Sequence, residues 1–212
     1  MNRDLKELRR DYQAGELLED DAGSDPLVLF TRWLHDAQST SQLEPNAMTL
    51  ATVDGMGHPH ARIVLLKGQN DRDFKFYTNY LSHKGEELLA SPSAALVFWW
   101  DQLERQVRVE GSVEKLSDEE NDEYFQERPK GSRLGAWASR QSEVIQSHHD
   151  LIETMSALEA QYPDQVPRPA HWGGYAVRAT RIEFWQGRSS RLHDRLDYRF
   201  DGTRWNRVRR SP

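Results

Sequence analysis

Leu27, Phe30, Trp33, Leu34 and Ala37 recur at three- and four-residue spacing behind Asp25-Pro26, the apolar stripe of an amphipathic helix with proline at a tolerated early position. The period then shortens to two. Strands are predicted over 48–53 and 60–67, joined by a turn through Asp54-Gly-Met-Gly57, then over 74–78, 94–100 and 105–116. In the last of these Val107 and Val109 face one way while Gln106, Arg108 and Glu110 face the other, the alternation of a half-buried strand. Ser82 is placed to cap a short helix over 84–89 that Pro92 stops. Ser117-Asp-Glu-Glu120 carries the capping-box pattern of a helix ending before Pro129. A short helical piece is expected over 131–138, and a long amphipathic helix over 142–162 that Gln141-Ser142 would open. Strands over 175–179 and 182–186 follow, then 196–200 and 203–208 around a two-residue Asp201-Gly202 turn. Many antiparallel strands with helices outside them make a mainly β (α+β) fold, a closed or split barrel. Residues 1–24 are polar and read as a mobile N-terminal arm, and 25–212 as a single domain without repeats.

Composition narrows the function classes. The chain has no cysteine, which excludes disulfides, thiolate metal sites and cysteine nucleophiles. No apolar run is long enough to span a bilayer, and the charged N-terminus predicts no signal peptide, so the cytoplasm is the expected location. A net charge of −6 argues against a nucleic-acid partner. Local clusters of cations must then serve something small. The histidines lack metal-site spacing: His148 and His149 splay apart on a helix, and His58 and His60 flank Pro59.

Several cation clusters have that character. Arg188, Arg191, His193 and Arg195 follow Phe184-Trp185 closely, and arginine both stacks on aromatic planes and grips phosphate. Arg62 and Lys67 bracket Ile63 to Leu66, and on a regular strand five residues of separation aim them at opposite faces, toward different groups. Tyr77-Thr78-Asn79 leads to Ser82, His83 and Lys84 at a helix start, an anion site in outline. Tyr124 and Arg128 lie one helical turn apart, with Ser132 just beyond, outlining a second phosphate pocket. Plain capping and solvated charge explain each cluster singly. Together they suggest two phosphorylated ligands, one of them a flat cofactor.

These residues fall in blocks: Arg62-Ile-Val-Leu-Leu-Lys67, Phe76-Tyr-Thr-Asn79, Arg105-Gln-Val-Arg-Val-Glu-Gly111, Tyr124-Phe-x-x-Arg-Pro129, Gly135-Ala-Trp-Ala-Ser139, Gln141-Ser142, Trp172-Gly-Gly174, Ile182-Glu-Phe-Trp-Gln-Gly187 and Arg191-Leu-His-Asp-Arg195. In order and spacing the chain resembles the pyridoxine/pyridoxamine 5′-phosphate oxidase family, from the Arg9-Arg-Asp-Tyr12 arm to Pro212. The resemblance implies an FMN-binding split barrel, a homodimer with flavin between subunits, and oxidation of pyridoxine or pyridoxamine 5′-phosphate to pyridoxal 5′-phosphate with O₂ reduced to hydrogen peroxide. It places Arg62, Lys84, Gln141 and Ser142 at the flavin phosphate, with His83 beside them. Tyr77, Thr78, Gln106, Trp185 and Arg195 surround the rest of the flavin.

The resemblance further implies that Lys67, Tyr124, Arg128 and Ser132 take the substrate phosphate, Lys67 lying where cofactor and substrate both come into reach. Arg191 and His193 are the implied catalytic pair at the pyridine ring, and Arg9 and Tyr12 close over it. The family usually has arginine where this chain has His83, so one cation near the flavin phosphate becomes titratable. Two rival readings stand beside this one: a split-barrel flavin reductase, which would lack the Tyr124, Arg128 and Ser132 set, and a non-catalytic FMN or pyridoxal-phosphate binder, which has no use for Arg191 and His193.

Overall fold

The computed structural model describes residues 4–8 and 10–212. A 3-10 turn, Leu5–Glu7, and a one-turn helix α1, Glu19–Ala22, precede the amphipathic helix α2, Pro26–Gln38. Strands β1 (Ala47–Val53), β2 (Pro59–Leu65), β3 (Gly68–Asn70) and β4 (Asp73–Asn79) lead to α3, His83–Ala90. Then come β5 (Ser93–Trp100), β6 (Arg105–Lys115), α4 (Asp118–Glu127), α5 (Lys130–Ala138) and α6 (His148–Gln161). The chain closes with β7 (Trp172–Gln186), β8 (Asp194–Phe200) and β9 (Trp205–Arg209). Hydrogen bonding orders the strands β2-β1-β5-β6-β7-β4-β3, with β8 on β7 and β9 on β8.

By contact the chain divides into two compact units. The first comprises the chain up to Leu50, Ala95–Gly111 and Ala179–Pro212. Its core is aromatic. The apolar face of α2 buries Phe30 against Phe98 (5.1 Å between ring centroids) and Trp33 edge-on against Phe184 (5.2 Å), and Phe184 in turn meets Tyr198. Such buried edge-to-face pairs add about 1 kcal/mol each beyond their apolar area. The described arm is tied into this unit: Leu17 is buried, and Glu19 pairs with Arg209 at 2.7 Å.

The second unit comprises Ala51–Ala94 and Ser112–Arg178. Here β4 pairs antiparallel with β3 and with the first half of β7, in the register Tyr77↔Gly174 and Asn79↔Trp172. Phe125, Leu134, Ala136, Val166 and Trp172 form a small core that α4 and α5 share.

The capping box at Ser117 and Glu120 forms as the sequence predicts, and β6 buries Val107 and Val109. Four local expectations are corrected. The predicted strands over 175–179 and 182–186 are one continuous strand, β7. The Asp201-Gly202 turn is wider, because Phe200 pairs with Trp205 and Asp201 accepts backbone N–H groups from Thr203 and Arg204. Ser142 does not open the long helix: it sits at φ 78°, and Ser147 caps α6 instead, accepting from Asp150 N–H. Ser82 stands at the N-cap of α3 but makes no side-chain cap, its hydroxyl donating to the Asn79 carbonyl.

Candidate active site

A cavity of about 1080 Å³ opens in the second unit, slightly above the usual range for ligand pockets. Of the residues singled out in the sequence, Arg62, Lys67, Tyr77, Thr78, His83, Lys84, Tyr124, Arg128, Ser132, Gln141 and Ser142 all line it. The strand-parity argument that separated Arg62 from Lys67 fails, since β2 ends at Leu65 and Lys67 lies past the regular alternation. Both cations reach the same cavity.

Lys84 is delivered by the first turn of α3. That turn seats directly on the backbone of Tyr80, where a Cβ at Gly85 would come within 2.1 Å of the Tyr80 carbonyl oxygen. Glycine at 85 is what allows the approach. Lys84 is consequently buried, and its ammonium donates to Ser82 Oγ (3.0 Å) and Gln141 Oε1 (2.8 Å), both neutral acceptors. No carboxylate forms an ion pair with it among the described residues. Burial, and then the charge of Arg62, push it down from the usual lysine range to about 8, against the pull of Glu87. Gln141 also accepts from Thr78, and Ser142, though it opens no helix, accepts the free N–H of His83 at the start of α3 (3.3 Å).

Arg62 is held by two residues that sequence reasoning missed. Glu87 pairs with its guanidinium at 2.9 Å, and Thr52 bonds both Glu87 and Arg62. Glu87 lies three residues past Lys84 on α3, but nothing in that spacing signals a partner on β2.

Arg128 is placed differently from expectation. Helix α4 ends at Glu127 and Arg128 has extended backbone (φ −71°, ψ 145°), so it does not share a helical face with Tyr124. Its guanidinium instead lies 4.5 Å over the Trp172 ring, and its Nη1 is buried without a hydrogen-bond partner. Burial lowers its pKa, opposed by Tyr124. Tyr77, Tyr124 and Trp172 stack nearly parallel, Tyr77 lying 4.0 Å from Tyr124 and 5.4 Å from Trp172. Trp172-Gly-Gly174 supplies the room for this stack: a Cβ at Gly174 would meet Tyr77 at 2.8 Å, and one at Gly173 would overlap the Tyr80 hydroxyl.

The remaining predicted residues belong to the first unit, apart from Arg9, which lies outside the described residues. Trp185 and His193 sit 4.6 Å apart, and Tyr12 packs against both at 5.7 Å. The backbone N–H of Arg188 donates to His193 Nδ1 at 3.0 Å. An amide N–H can only donate, so Nδ1 carries no proton and the neutral ring is protonated at Nε2. Burial, then Arg191, hold this imidazole below its ordinary pKa. Arg191 is exposed in a loop where it and Ser190 both have positive φ (61° and 55°). Arg195 is paired with the buried carboxylate of Glu183 at 3.0 Å, and Gln106 is half-buried on the polar face of β6.

A buried lysine, Lys84, and a half-buried arginine, Arg128, whose Nη1 is buried, line one cavity without a carboxylate ion pair among the described residues. They fit phosphate groups, because desolvating an unpaired charge is costly and a dianion offsets that cost. A family model described as pyridoxamine 5′-phosphate oxidase matches residues 34–162, and one described as the pyridoxine 5′-phosphate oxidase C-terminal dimerisation region matches 172–212. The chain is 60% identical over 208 residues to a pyridoxine/pyridoxamine 5′-phosphate oxidase of Thermosynechococcus vestitus, covering 98% of this chain and 99% of the relative. It is 54% identical to one of Pseudomonas paraeruginosa over the full length of both.

Among solved structures, PhzG from Burkholderia lata, in complex with tetrahydrophenazine-1-carboxylic acid, superposes with a TM-score of 0.88 at 30% identity, covering 94% of this chain and all of that one. A pyridoxamine 5′-phosphate oxidase-related, FMN binding protein from Nostoc punctiforme shares the fold, with a TM-score of 0.72 at 18% identity, covering 87% of this chain and 96% of that one. The fold is the antiparallel split barrel with peripheral helices expected from the sequence, and the chain belongs to the pyridoxamine 5′-phosphate oxidase family.

Proposed function

We propose that this chain is an FMN-dependent oxidase converting pyridoxine 5′-phosphate and pyridoxamine 5′-phosphate to pyridoxal 5′-phosphate, with O₂ as the final electron acceptor and a homodimer as the working form. The observation that carries the reading is the pair of cations in a single cavity without a carboxylate ion pair among the described residues: Lys84, which is buried, and Arg128, which is half-buried with its Nη1 buried. One suits the phosphate of the cofactor and the other that of the substrate. The family's C-terminal dimerisation region, matched over 172–212, supports the homodimer.

When bound, FMN supplies the two-electron acceptor that takes hydride from the substrate and that O₂ reoxidises. The protein's share is positioning and electrostatics. Lys84 and Arg62, with the N–H groups at the start of α3, hold the flavin phosphate. Gln141 and Ser142 orient that corner through Lys84 and His83. Arg128, with Lys67, Tyr124 and Ser132, fixes the substrate phosphate, and Tyr77 and Trp172 hold Tyr124 and Arg128 in place by stacking. Gln106, Trp185 and Arg195 serve the flavin ring, while Arg191, His193 and Tyr12 serve the pyridine ring.

His193 acts in this scheme as a hydrogen-bond donor. Its Nδ1 lone pair is used by Arg188 and its Nε2 carries the proton, so the neutral ring has no free lone pair with which to take a proton from the substrate. Its Nε2–H and the Arg191 guanidinium would instead orient the pyridine ring for hydride transfer, with the proton of the substrate's hydroxyl or amine passing to solvent water. His193→Ala is expected to lower kcat roughly 30-fold with FMN still bound, and His193→Asn, which keeps an N–H donor, to recover part of that loss. In both variants the pH profile of kcat/KM should keep its wild-type shape. Disappearance of a wild-type limb in His193→Asn would show instead that the imidazole is the base.

The overall reading is tested in one cuvette. The purified protein should be yellow, bleach when pyridoxine 5′-phosphate is added without oxygen, and recover its colour with stoichiometric hydrogen peroxide when air is admitted. A yellow protein that stays yellow is a flavin binder or a reductase with another substrate, and a colourless one that FMN cannot reconstitute ends the proposal.

A further inference from the structure

The loop joining β5 to β6 places Glu104 at φ 54°, a backbone conformation that favours glycine or asparagine. A glutamate held there must be wanted for its side chain. That side chain is 4% exposed, and it points at the arm: the backbone N–H groups of Gln13 and Ala14 both donate to Oε2, at 2.7 and 2.8 Å, and Arg10 pairs with Oε1 at 3.0 Å. The backbone carbonyl of the same residue accepts the N–H of Gly187, at 2.8 Å, where the chain leaves β7 for the loop carrying Arg191 and His193. Glu104 thus holds the arm through its carboxylate and that loop through its carbonyl.

Between those two attachments lies Tyr12, edge-on to Trp185 (89° between planes) and tilted against His193. The fit is close on the far side as well, since a Cβ at Gly187 would come within 2.8 Å of the Tyr12 ring. Further along, Leu17 N–H donates to Asp194, and Arg188 pairs with Glu16. These contacts secure the stretch after Tyr12. The backbone N–H groups just after Tyr12 donate to Glu104, while Arg10 before it also donates to the Asp101 carbonyl at 3.5 Å.

We propose that Glu104 is a positioning residue of the oxidase: its carboxylate latches residues 10–14 so that Tyr12 covers Trp185 and His193. The proposal rests on the oxidase reading above. It requires that loss of the latch act on substrate retention rather than on the reacting atoms, and that it act only through Tyr12.

The test is made on the full-length holoenzyme. Glu104→Ala, which removes two N–H···carboxylate bonds and the Arg10 ion pair, is expected to speed tryptic cleavage after Arg10 and to raise KM for pyridoxine 5′-phosphate, each by about tenfold or more, since one hydrogen bond to a charged group is already worth about that factor. kcat should stay within about twofold, because His193 keeps the hydrogen bond from the Arg188 N–H. Glu104→Gln, which keeps one oxygen acceptor, should restore most of the protection. Tyr12→Ala should raise KM similarly, and the double variant should be no worse than either single one, the non-additivity of a shared mechanism. Should Glu104→Ala fail to fold, Ala14→Pro removes one donor from the arm side and should give the same pattern. Unchanged cleavage and KM, or a Glu104→Ala effect that adds fully to that of Tyr12→Ala, would overturn the latch. An inactive wild-type protein would overturn the oxidase reading, and the cleavage rates would still decide whether Glu104 holds the arm.

Discussion

Replacing Lys84 with methionine is expected to weaken FMN binding by roughly 100-fold, the value of a charge-assisted hydrogen bond in a buried site. Wild-type affinity should also depend on pH in a way the variant does not. In the flavin-free protein burial and Arg62 bring Lys84 down to about 8, and an arriving phosphate dianion must raise it, so binding takes up a proton wherever the lysine was neutral beforehand. Affinity is therefore flat below pH 8 and falls above it, by at most about tenfold per pH unit for one proton. The flavin-free fold has the opposite sign. Its lysine binds a proton less tightly than in the unfolded chain, so its stability rises as pH climbs from about 8 toward the ordinary lysine value. Fluorescence titrations of FMN between about pH 6.5 and 9.5 decide the matter, and Lys84→Met should flatten the profile. His83→Arg, which leaves Lys84 in place, should keep the decline above pH 8. A wild-type profile flat to the top of the range would show that Lys84 does not meet the phosphate.

The contrast between Lys84 and Ser142 shows what was legible in the sequence. Helix α2, the alternation in β6 and the Ser117 capping box are written in residues two to four apart, and each formed where local spacing placed it. Ser142 carries the same kind of local signal and it misled, because its hydroxyl serves the first N–H of a different helix, α3, and Ser147 was left to cap α6. The choice between two serines rests on where α3 lies in space. Likewise the parity of Arg62 and Lys67 holds only while the strand lasts, and β2 stops at Leu65.

The cations of the proposed site were visible as clusters and motifs, and the resemblance is what assigns them to cofactor or substrate. The residues that hold the charges in place were not visible. Glu87 and Thr52 bind Arg62 across elements, Trp172 lies under Arg128, Glu183 pairs with Arg195, and Glu104 reaches the arm. Each is an ordinary residue of a helix, strand or turn until tertiary contact gives it a partner.

Arg128 is where such support should matter most for turnover. Its guanidinium rests on Trp172 with one nitrogen buried and unpartnered, so the fold bears the desolvation of that charge before any substrate arrives. A phosphate dianion completes the pair, and truncating one member of a buried, hydrogen-bonded charge pair costs about 4 kcal/mol, roughly 1,000-fold. Arg128→Met is accordingly expected to lower kcat/KM for pyridoxine 5′-phosphate by about that factor while FMN affinity stays within roughly threefold. Arg128→Lys should recover only part, because a lysine can neither stack its plane on Trp172 nor present a fork to phosphate. The decisive control is pyridoxine itself, which has no phosphate for Arg128 to bind. The wild-type protein should use it poorly, and Arg128→Met should use it no worse than wild type, so that the variant's preference for the phosphorylated form collapses. If the variant loses activity on both substrates alike, or sheds its flavin, Arg128 serves the cofactor or the core instead, and the second phosphate must be held elsewhere in the cavity.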